Sequence, residues 1–331
     1  MSVSVLTKQP PAVDEASRLA FHRVTPVIGA EVTGIDLTRP LDTETIAKLR
    51  RKLVKYKVLF FRDQPITDED HVRFSQYFGG VTPAHPITNG RAGGPIQIME
   101  NVKSRIDARQ SVFSDVEKQH HRAFHRPRPG RGWHTDITFV TNPSDISFLR
   151  NHQSPEFGGD TAWVNLEALY ESFSPAFRER LDGLRAVHGR DDALRGFPPP
   201  PRDDGRSTGP YLSVHPLVRV HPESGKKGLF LSPGFIKYIE GYSERESDAL
   251  LTFLTEELSA RLDLQVRFRW TPNALAVWDN RATSHWGPID GEHFTDERIV
   301  RRTTVGTSVP VGPDGFTSRQ IAGERFFTLE D

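Results

Sequence analysis

An α+β fold, rich in short strands and carrying flanking helices, is what the sequence predicts, and three features carry that reading. β-Branched runs broken by glycine recur near both ends of the chain, amphipathic segments with recognisable caps lie between them, and no internal repeat or linker divides the 331 residues. A chain of this length can bury a substantial core as one domain without covalent staples.

Residues 1–20 are polar and include Pro10 and Pro11, so they read as a flexible leader, with residues 21–331 as a single domain. The stretch RVTPVIGAEVTGIDL then gives short strands that turn at Gly29 and Gly34. In DTETIAKLRRKLVKY, Ile46, Leu49, Leu53 and Val54 form an apolar stripe behind an Asp42 cap, which predicts a helix. KVLFF is too short for an isolated helix and reads as a buried strand. In TDEDHVRFSQYFG, Thr67 and Asp70 have capping-box spacing, and Gly79 is expected to close that helix. Ser174 and Pro175 open another helix in SPAFRERLDGL, and Ser243 with Glu246 opens a long one in SERESDALLTFLTEELSARL. ALAVWD and RIVRRTTVG return to strand. Three loop-rich tracts, Asn89–Gly94, Ser104–Gly132 and Gly196–Pro210, are long enough to be expected to act as lids or mobile segments.

Lys and Arg total 43 and so do Asp and Glu, so no global field draws the chain to nucleic acid or an anionic membrane. Any anion recognition is local. Cysteine is absent, which excludes disulfides, thiolate metal sites, iron–sulfur clusters and cysteine nucleophiles; metal ligands have to be His, Asp or Glu. No apolar stretch of signal-peptide character opens the sequence, and none approaches the roughly 18 apolar residues of a membrane span, so a cytoplasmic protein is expected.

The chemistry-bearing stretch is GWHTDITF. If it is extended, Trp133, Thr135, Ile137 and Phe139 point one way and His134, Asp136 and Thr138 the other, so His134 and Asp136 can converge on one metal ion. A His-x-Asp pair alone is a weak signal, and a plain hydrogen-bonded pair explains it as well. A third ligand has to come from the remaining histidines. His121 and His125 have helical ligand spacing, but no Glu follows His121; with His120 they read as solvated loop residues. His215 and His221 flank PLVRV and read first as strand-end residues, with substrate contact as the alternative. His285 in DNRATSHWG, between a strand and a Gly-Pro turn, stands out, although it also fits a plain turn histidine. Two histidines and a carboxylate without a thiolate make the facial set expected of non-haem Fe(II). Arg298 and Arg302 share a face of ERIVRRTTVG and could each grip an anion, or form one solvated edge. Thr161 adds a hydroxyl at the head of TAWVN.

Taken in order, WHTDITF, GGDTAWVN, WDNRATSHWG and ERIVRRTT resemble the Fe(II)- and 2-oxoglutarate-dependent dioxygenases of the family that includes taurine dioxygenase and 2,4-dichlorophenoxyacetate dioxygenase. GAEVTGIDLTRPL, FGGVTPAHP and LFLSPGFIKYIEG extend the resemblance from about Phe21 to Ser308. The resemblance implies a double-stranded β-helix, or jelly roll, core with flanking helices. It implies His134, Asp136 and His285 as metal ligands, Arg298 and Thr161 at 2-oxoglutarate, and Arg302, His85 and Phe235 at the primary substrate. It implies Fe(II), 2-oxoglutarate and O2 as the reactive partners, with succinate and carbon dioxide released as a C–H bond of a small organic anion is oxidised.

An alkyl sulfonate or sulfate ester is the favoured substrate; a carboxylate such as an aryloxyalkanoate or an amino-acid-like precursor is the alternative, since the Arg302 fork fits all of them. In taurine dioxygenase an asparagine four residues before the first ligand helps bind the substrate, and here that position is Gly130, which argues against taurine itself. The remote alternatives are a zinc hydrolase and a non-catalytic metal-binding barrel. No nucleic acid and no membrane partner are expected, and a homo-oligomer is left open.

Overall fold

The computed structural model describes residues 18–85, 94–101, 130, 132–190, 210–287, 290 and 296–329. Residues 1–17 of the expected leader and most of the three long loops, with His120, His121 and His125, lie outside them.

The strands are β1 (Ala20–Arg23), β2 (Ala30–Thr33), β3 (Val58–Phe61), β4 (Gln97–Asn101), β5 (Ile146–Gln153), β6 (Thr161–Asn165), β7 (Arg185–Arg190) and β8 (Tyr211–Pro216). They continue with β9 (Val218–Val220), β10 (Lys227–Leu229), β11 (Ile236–Ile239), β12 (Gln265–Phe268), β13 (Leu275–Asp279), β14 (Thr283–Trp286), β15 (Arg298–Val305) and β16 (Arg319–Ala322). The helices are α1 (Thr43–Tyr56), α2 (Asp68–Gln76), α3 (Leu166–Ser172), α4 (Pro175–Asp182) and α5 (Glu244–Ala260).

Local chemistry explains most helix starts. Asp42 accepts from Thr45 N at 2.7 Å, and both Thr67/Asp70 and Ser243/Glu246 form reciprocal capping boxes. Each such cap stabilises its helix by about 1 kcal/mol. α2 departs from expectation at its end: it stops at Gln76, where Tyr77 N–H bonds back to Phe74 and Ser75 carbonyls, and Gly79 lies beyond. α3 was not foreseen; Asn165, the last residue of β6, accepts from Glu167 N and Ala168 N and starts it without a loop.

A seven-stranded sheet in the order β1-β2-β3-β13-β5-β15-β4 organises the molecule, antiparallel except for the β2–β3 pair. On one face Leu59, Phe61, Phe148 and Val277 pack against Leu49 and Leu53 of α1 and Phe74 of α2. On the other, Phe60, Leu149, Ala276 and Trp278 meet Trp163, Val266 and Phe268 of a three-stranded sheet, β12-β6-β14. β3 and β13 are therefore buried on both faces, which is why their sequences are unbroken apolar runs rather than alternating ones. A four-stranded sheet, β11-β7-β8-β16, completes the strand-rich scaffold with α3, α4 and α5 packed around it and the short β9–β10 pair.

The turn between β13 and β14 is locked by charge. Asp279 is fully buried, accepts from Arg281 Nε at 2.8 Å and lies 2.9 Å from His221 Nε2, while Arg281 also reaches Glu223 at 2.7 Å. Burial opposes ionisation of Asp279, but Arg281 and then His221 outweigh it and hold the carboxyl below its ordinary range. His221 is thus a structural residue. So is His215, which bonds Thr138 O and Ser318 Oγ at 2.7 Å each. Among the described residues no helix is long and apolar enough to cross a membrane.

Candidate metal centre and active site

Trp133–Phe139 is not the extended strand that its sequence suggested. Only His134 pairs in β fashion, with His285, and the chain then turns: Ile137 has φ of 47° and Val140 N bonds to Ile137 O at 3.1 Å. Residues of both supposed faces are buried, with His134 half-buried. Thr138 does not join the polar pair; its hydroxyl bonds His188 Nδ1 at 2.9 Å.

His134 and Asp136 still meet, through the bridge and the turn. His134 N bonds to His285 O at 2.9 Å and His285 N to His134 O at 2.7 Å, which sets the two imidazoles side by side with ring centroids 4.2 Å apart. One nitrogen of each ring and a carboxylate oxygen of Asp136 lie within 4.8 Å of one another. His134 Nδ1 donates to Gly132 O at 2.9 Å, so Nε2 carries the free lone pair. Gly132 has no alternative, since a Cβ there would overlap the Trp286 indole. The backbone of the segment is pinned by Thr135, whose N–H donates to Ser232 Oγ at 3.0 Å and whose hydroxyl donates to Thr283 O at 2.8 Å.

His285 is buried, with Nδ1 unpaired, and burial together with His134 pushes it down to about 3. It is neutral, as a metal ligand has to be. Asp136 Oδ2 accepts from Ser147 Oγ at 2.7 Å, and Oδ1 accepts from Arg302 Nη1 while lying 3.8 Å from His285 Nε2. Burial works against the Asp136 charge, but Arg302 first, then the two imidazoles and the Ser147 bond, outweigh it and hold the carboxyl below its ordinary range. Two imidazoles and one carboxylate, without sulfur, fit a non-haem Fe(II) ion with open coordination positions.

The arginines of β15 diverge as strand alternation requires. Arg301 turns toward Asp68 of α2, while Arg302 faces Asp136 and sends Nη2 to Gln97 Oε1 at 2.5 Å. Arg298 lies beside the irregular Ile299/Val300 register, and its Nε donates to Gly159 O at 3.0 Å. Thr161, two residues on from Gly159, accepts the Trp270 indole N–H at 3.1 Å, which leaves its own hydrogen to donate. His85 and Phe235 stand along one wall. Rings run from His134 to Phe235 at 6.0 Å, on to Phe139 at 5.2 Å and to His85 at 6.1 Å. Gly130, at φ of 79°, directs its missing Cβ at Ser259 and at Thr255 Cγ2, 2.8 Å away, so this position offers no side chain to the site.

Sequence reasoning missed Gln97, Ser147, Trp270, Trp278 and Asn280. The one available signal was DNR: three polar residues directly after the apolar run ALAVW, all of them buried.

Two imidazoles and a carboxylate brought to one point on a strand-rich scaffold fit the class of 2-oxoglutarate-dependent dioxygenases. The chain belongs to the family described as "Taurine catabolism dioxygenase TauD, TfdA family", whose model matches residues 20–304. A Pseudomonas putida protein named alpha-ketoglutarate-dependent sulfate ester dioxygenase is 35% identical over 96% of this chain and 98% of its own length. One named alkylsulfatase, from Acinetobacter baylyi, is 32% identical over 91% of this chain and 89% of its own. The crystal structure of a taurine dioxygenase from Burkholderia xenovorans superimposes with a TM-score of 0.76 at 38% identity, covering 93% of this chain and 96% of that one. The chain is a 2-oxoglutarate-dependent dioxygenase, and its family implies O2 and iron.

Proposed function

We propose that this enzyme oxidises the carbon bearing the anionic group of a small alkyl sulfate ester or alkyl sulfonate, with His134, Asp136 and His285 holding Fe(II). The observation that carries the reading is the convergence of those three donors within 4.8 Å directly beside the Arg302 guanidinium. Iron(II) bound there, with 2-oxoglutarate, supplies the oxygen-activating chemistry that yields succinate and carbon dioxide and oxidises a substrate C–H bond.

The chain's own groups divide the remaining work. Arg298 grips the distal carboxylate of 2-oxoglutarate by its terminal nitrogens, and Thr161 donates its hydroxyl hydrogen to the same group. Arg302 meets the substrate anion with His85, and Phe235 and Phe139 line the organic portion. Their rings keep water from the reacting carbon. Oxidation at a carbon that carries sulfate gives an unstable hemiacetal ester, which collapses to an aldehyde and sulfate.

The sulfate-ester class is favoured over taurine by the names of the two relatives and by Gly130, which carries no substrate-facing side chain. We read the sheets as the jelly-roll core of a single domain, and a cytoplasmic location goes with this reading. Anaerobic loading with Fe(II) and then a panel of alkyl sulfates, sulfonates and aryloxyalkanoates tests it. Succinate formation stimulated by alkyl sulfates, with equimolar sulfate release, is expected; stimulation by carboxylates alone overturns the substrate class.

A further inference from the structure

We propose that Trp278, Asn280 and Ser147 form a one-directional hydrogen-bond chain that holds Asp136 so that only Oδ1 is offered to the metal, a role that rests on reading His134, Asp136 and His285 as ligands. Trp278 Nε1 lies 2.9 Å from Asn280 Oδ1, Asn280 Nδ2 lies 2.7 Å from Ser147 Oγ, and Ser147 Oγ lies 2.7 Å from Asp136 Oδ2. Every member is buried.

The direction of the chain follows from what each group can do. An indole N–H can only donate, so it fixes the Asn280 amide with its oxygen toward Trp278 and its NH2 toward Ser147. Asn280 then donates to Ser147 Oγ, and the single hydroxyl hydrogen of Ser147 has Asp136 Oδ2 as its acceptor. With Oδ2 committed to Ser147, Oδ1 is the oxygen that a metal takes, once the Arg302 Nη1 from which it accepts turns away. Oδ1 is the oxygen that lies 3.8 Å from His285 Nε2, on the metal side. Monodentate attachment matters here, because a chelating carboxylate would occupy one of the positions that 2-oxoglutarate and O2 require.

Trp278 serves the second ligand as well. Its ring packs 4.9 Å from that of His285, and it is the cross-strand partner of Ser147 in the β13–β5 pair. The orientation of both ligands is thus referred to one rigid sheet, although Asp136 itself sits in a turn. These are positioning residues, since none of them contacts the reacting groups.

The test is equilibrium Co(II) binding to the full chain, followed by visible absorption, with metal-free melting as the measure of folding. Asn280→Asp replaces the donor with an acceptor, draws the Ser147 hydrogen away from Asp136, and is expected to weaken binding 10- to 100-fold and to alter the Co(II) spectrum. Ser147→Ala, which adds no charge, is expected to do the same. It decides alone if Asn280→Asp does not fold. Trp278→Phe keeps the ring against His285 and frees the Asn280 amide to flip, so a smaller loss in the same direction is expected. Ser147→Ala and Asn280→Asp both binding Co(II) within about threefold of the parent, with its spectrum, overturn the proposal while Asp136→Ala still loses binding. Undiminished binding by Asp136→Ala overturns the ligand reading, and this proposal with it.

Discussion

Arg302 donates through Nη1 to Oδ1 of Asp136, the same oxygen that lies 3.8 Å from His285 Nε2. On the proposed ligand reading, guanidinium and metal ion therefore claim one atom. Arg302 is the counter-ion that makes a buried carboxylate tolerable; on the proposed reading, a bound metal takes over that charge and the fork turns to the substrate anion. Gln97 holds the other terminal nitrogen at 2.5 Å and so limits how far it swings.

Arg302→Ala takes the cationic partner from buried Asp136 and leaves it the Ser147 hydroxyl on its other oxygen. We predict that the metal-free variant loses roughly 3 kcal/mol or more of stability, in the range for removing one member of a buried pair, and that added Mn(II) restores most of it. The KM for the primary substrate should rise well beyond tenfold while that for 2-oxoglutarate changes little. Chemical denaturation with and without Mn(II), and KM values for both substrates, check this; equal losses for the two substrates would contradict the role given to Arg302.

His134→Ala and Asp136→Ala each remove one donor from a cluster whose atoms lie within 4.8 Å. Succinate production should vanish in both, and Fe(II) or Co(II) binding should weaken by orders of magnitude while melting of the metal-free His134→Ala protein moves little. Normal turnover by either variant would sink the ligand assignment.

Gly159→Ala tests the Arg298 clamp without touching its charge. A Cβ there would meet Arg298 Cδ at 2.9 Å and Nε at 3.1 Å, on a backbone whose φ of 65° already disfavours a side chain. Displacing the guanidinium should raise the KM for 2-oxoglutarate at least tenfold and leave metal affinity near the parent value. A KM unchanged in a folded variant would separate Arg298 from the cosubstrate.

Local chemistry was legible in the sequence and tertiary chemistry was not. Thr67 and Asp70 meet within one helical turn, and β13 is announced by its own apolar run, so spacing finds them. His134 and Asp136 were legible as a pair, yet for a different geometric reason: the bridge to His285 and the turn at Ile137 bring them together, not strand alternation. Gln97 reaches Arg302 only through the β4–β15 pairing, and Ser147 reaches Asp136 only because β5 sits beside the turn. No periodicity encodes such contacts. Asn280 was missed as well, although an amide directly after a buried strand needs partners.

The buried histidines set the last prediction, acid lability of the metal-free chain. Burial first, with nearby cationic groups adding to it, lowers His71, His215 and His285 from 6.5 to about 3, and holds His188 well below that ordinary value. A folded pKa below the unfolded one means that the unfolded chain takes up protons first. Stability is therefore full above 6.5 and falls as pH drops toward 3, by about 1.4 kcal/mol per histidine per pH unit at most. Asp136 and Asp279, whose carboxyls are lowered, contribute above the ordinary carboxylate value of 3.8 and so add nothing to the loss between pH 6.5 and 5. Asp145, raised by burial, works in the opposite sense and offsets part of it only near its own titration. Urea denaturation at constant ionic strength should show a midpoint that drops steeply from pH 7 to 5, with more than one proton taken up on unfolding. A flat midpoint across that window would mean that these imidazoles take up protons in the folded chain as readily as in the unfolded one.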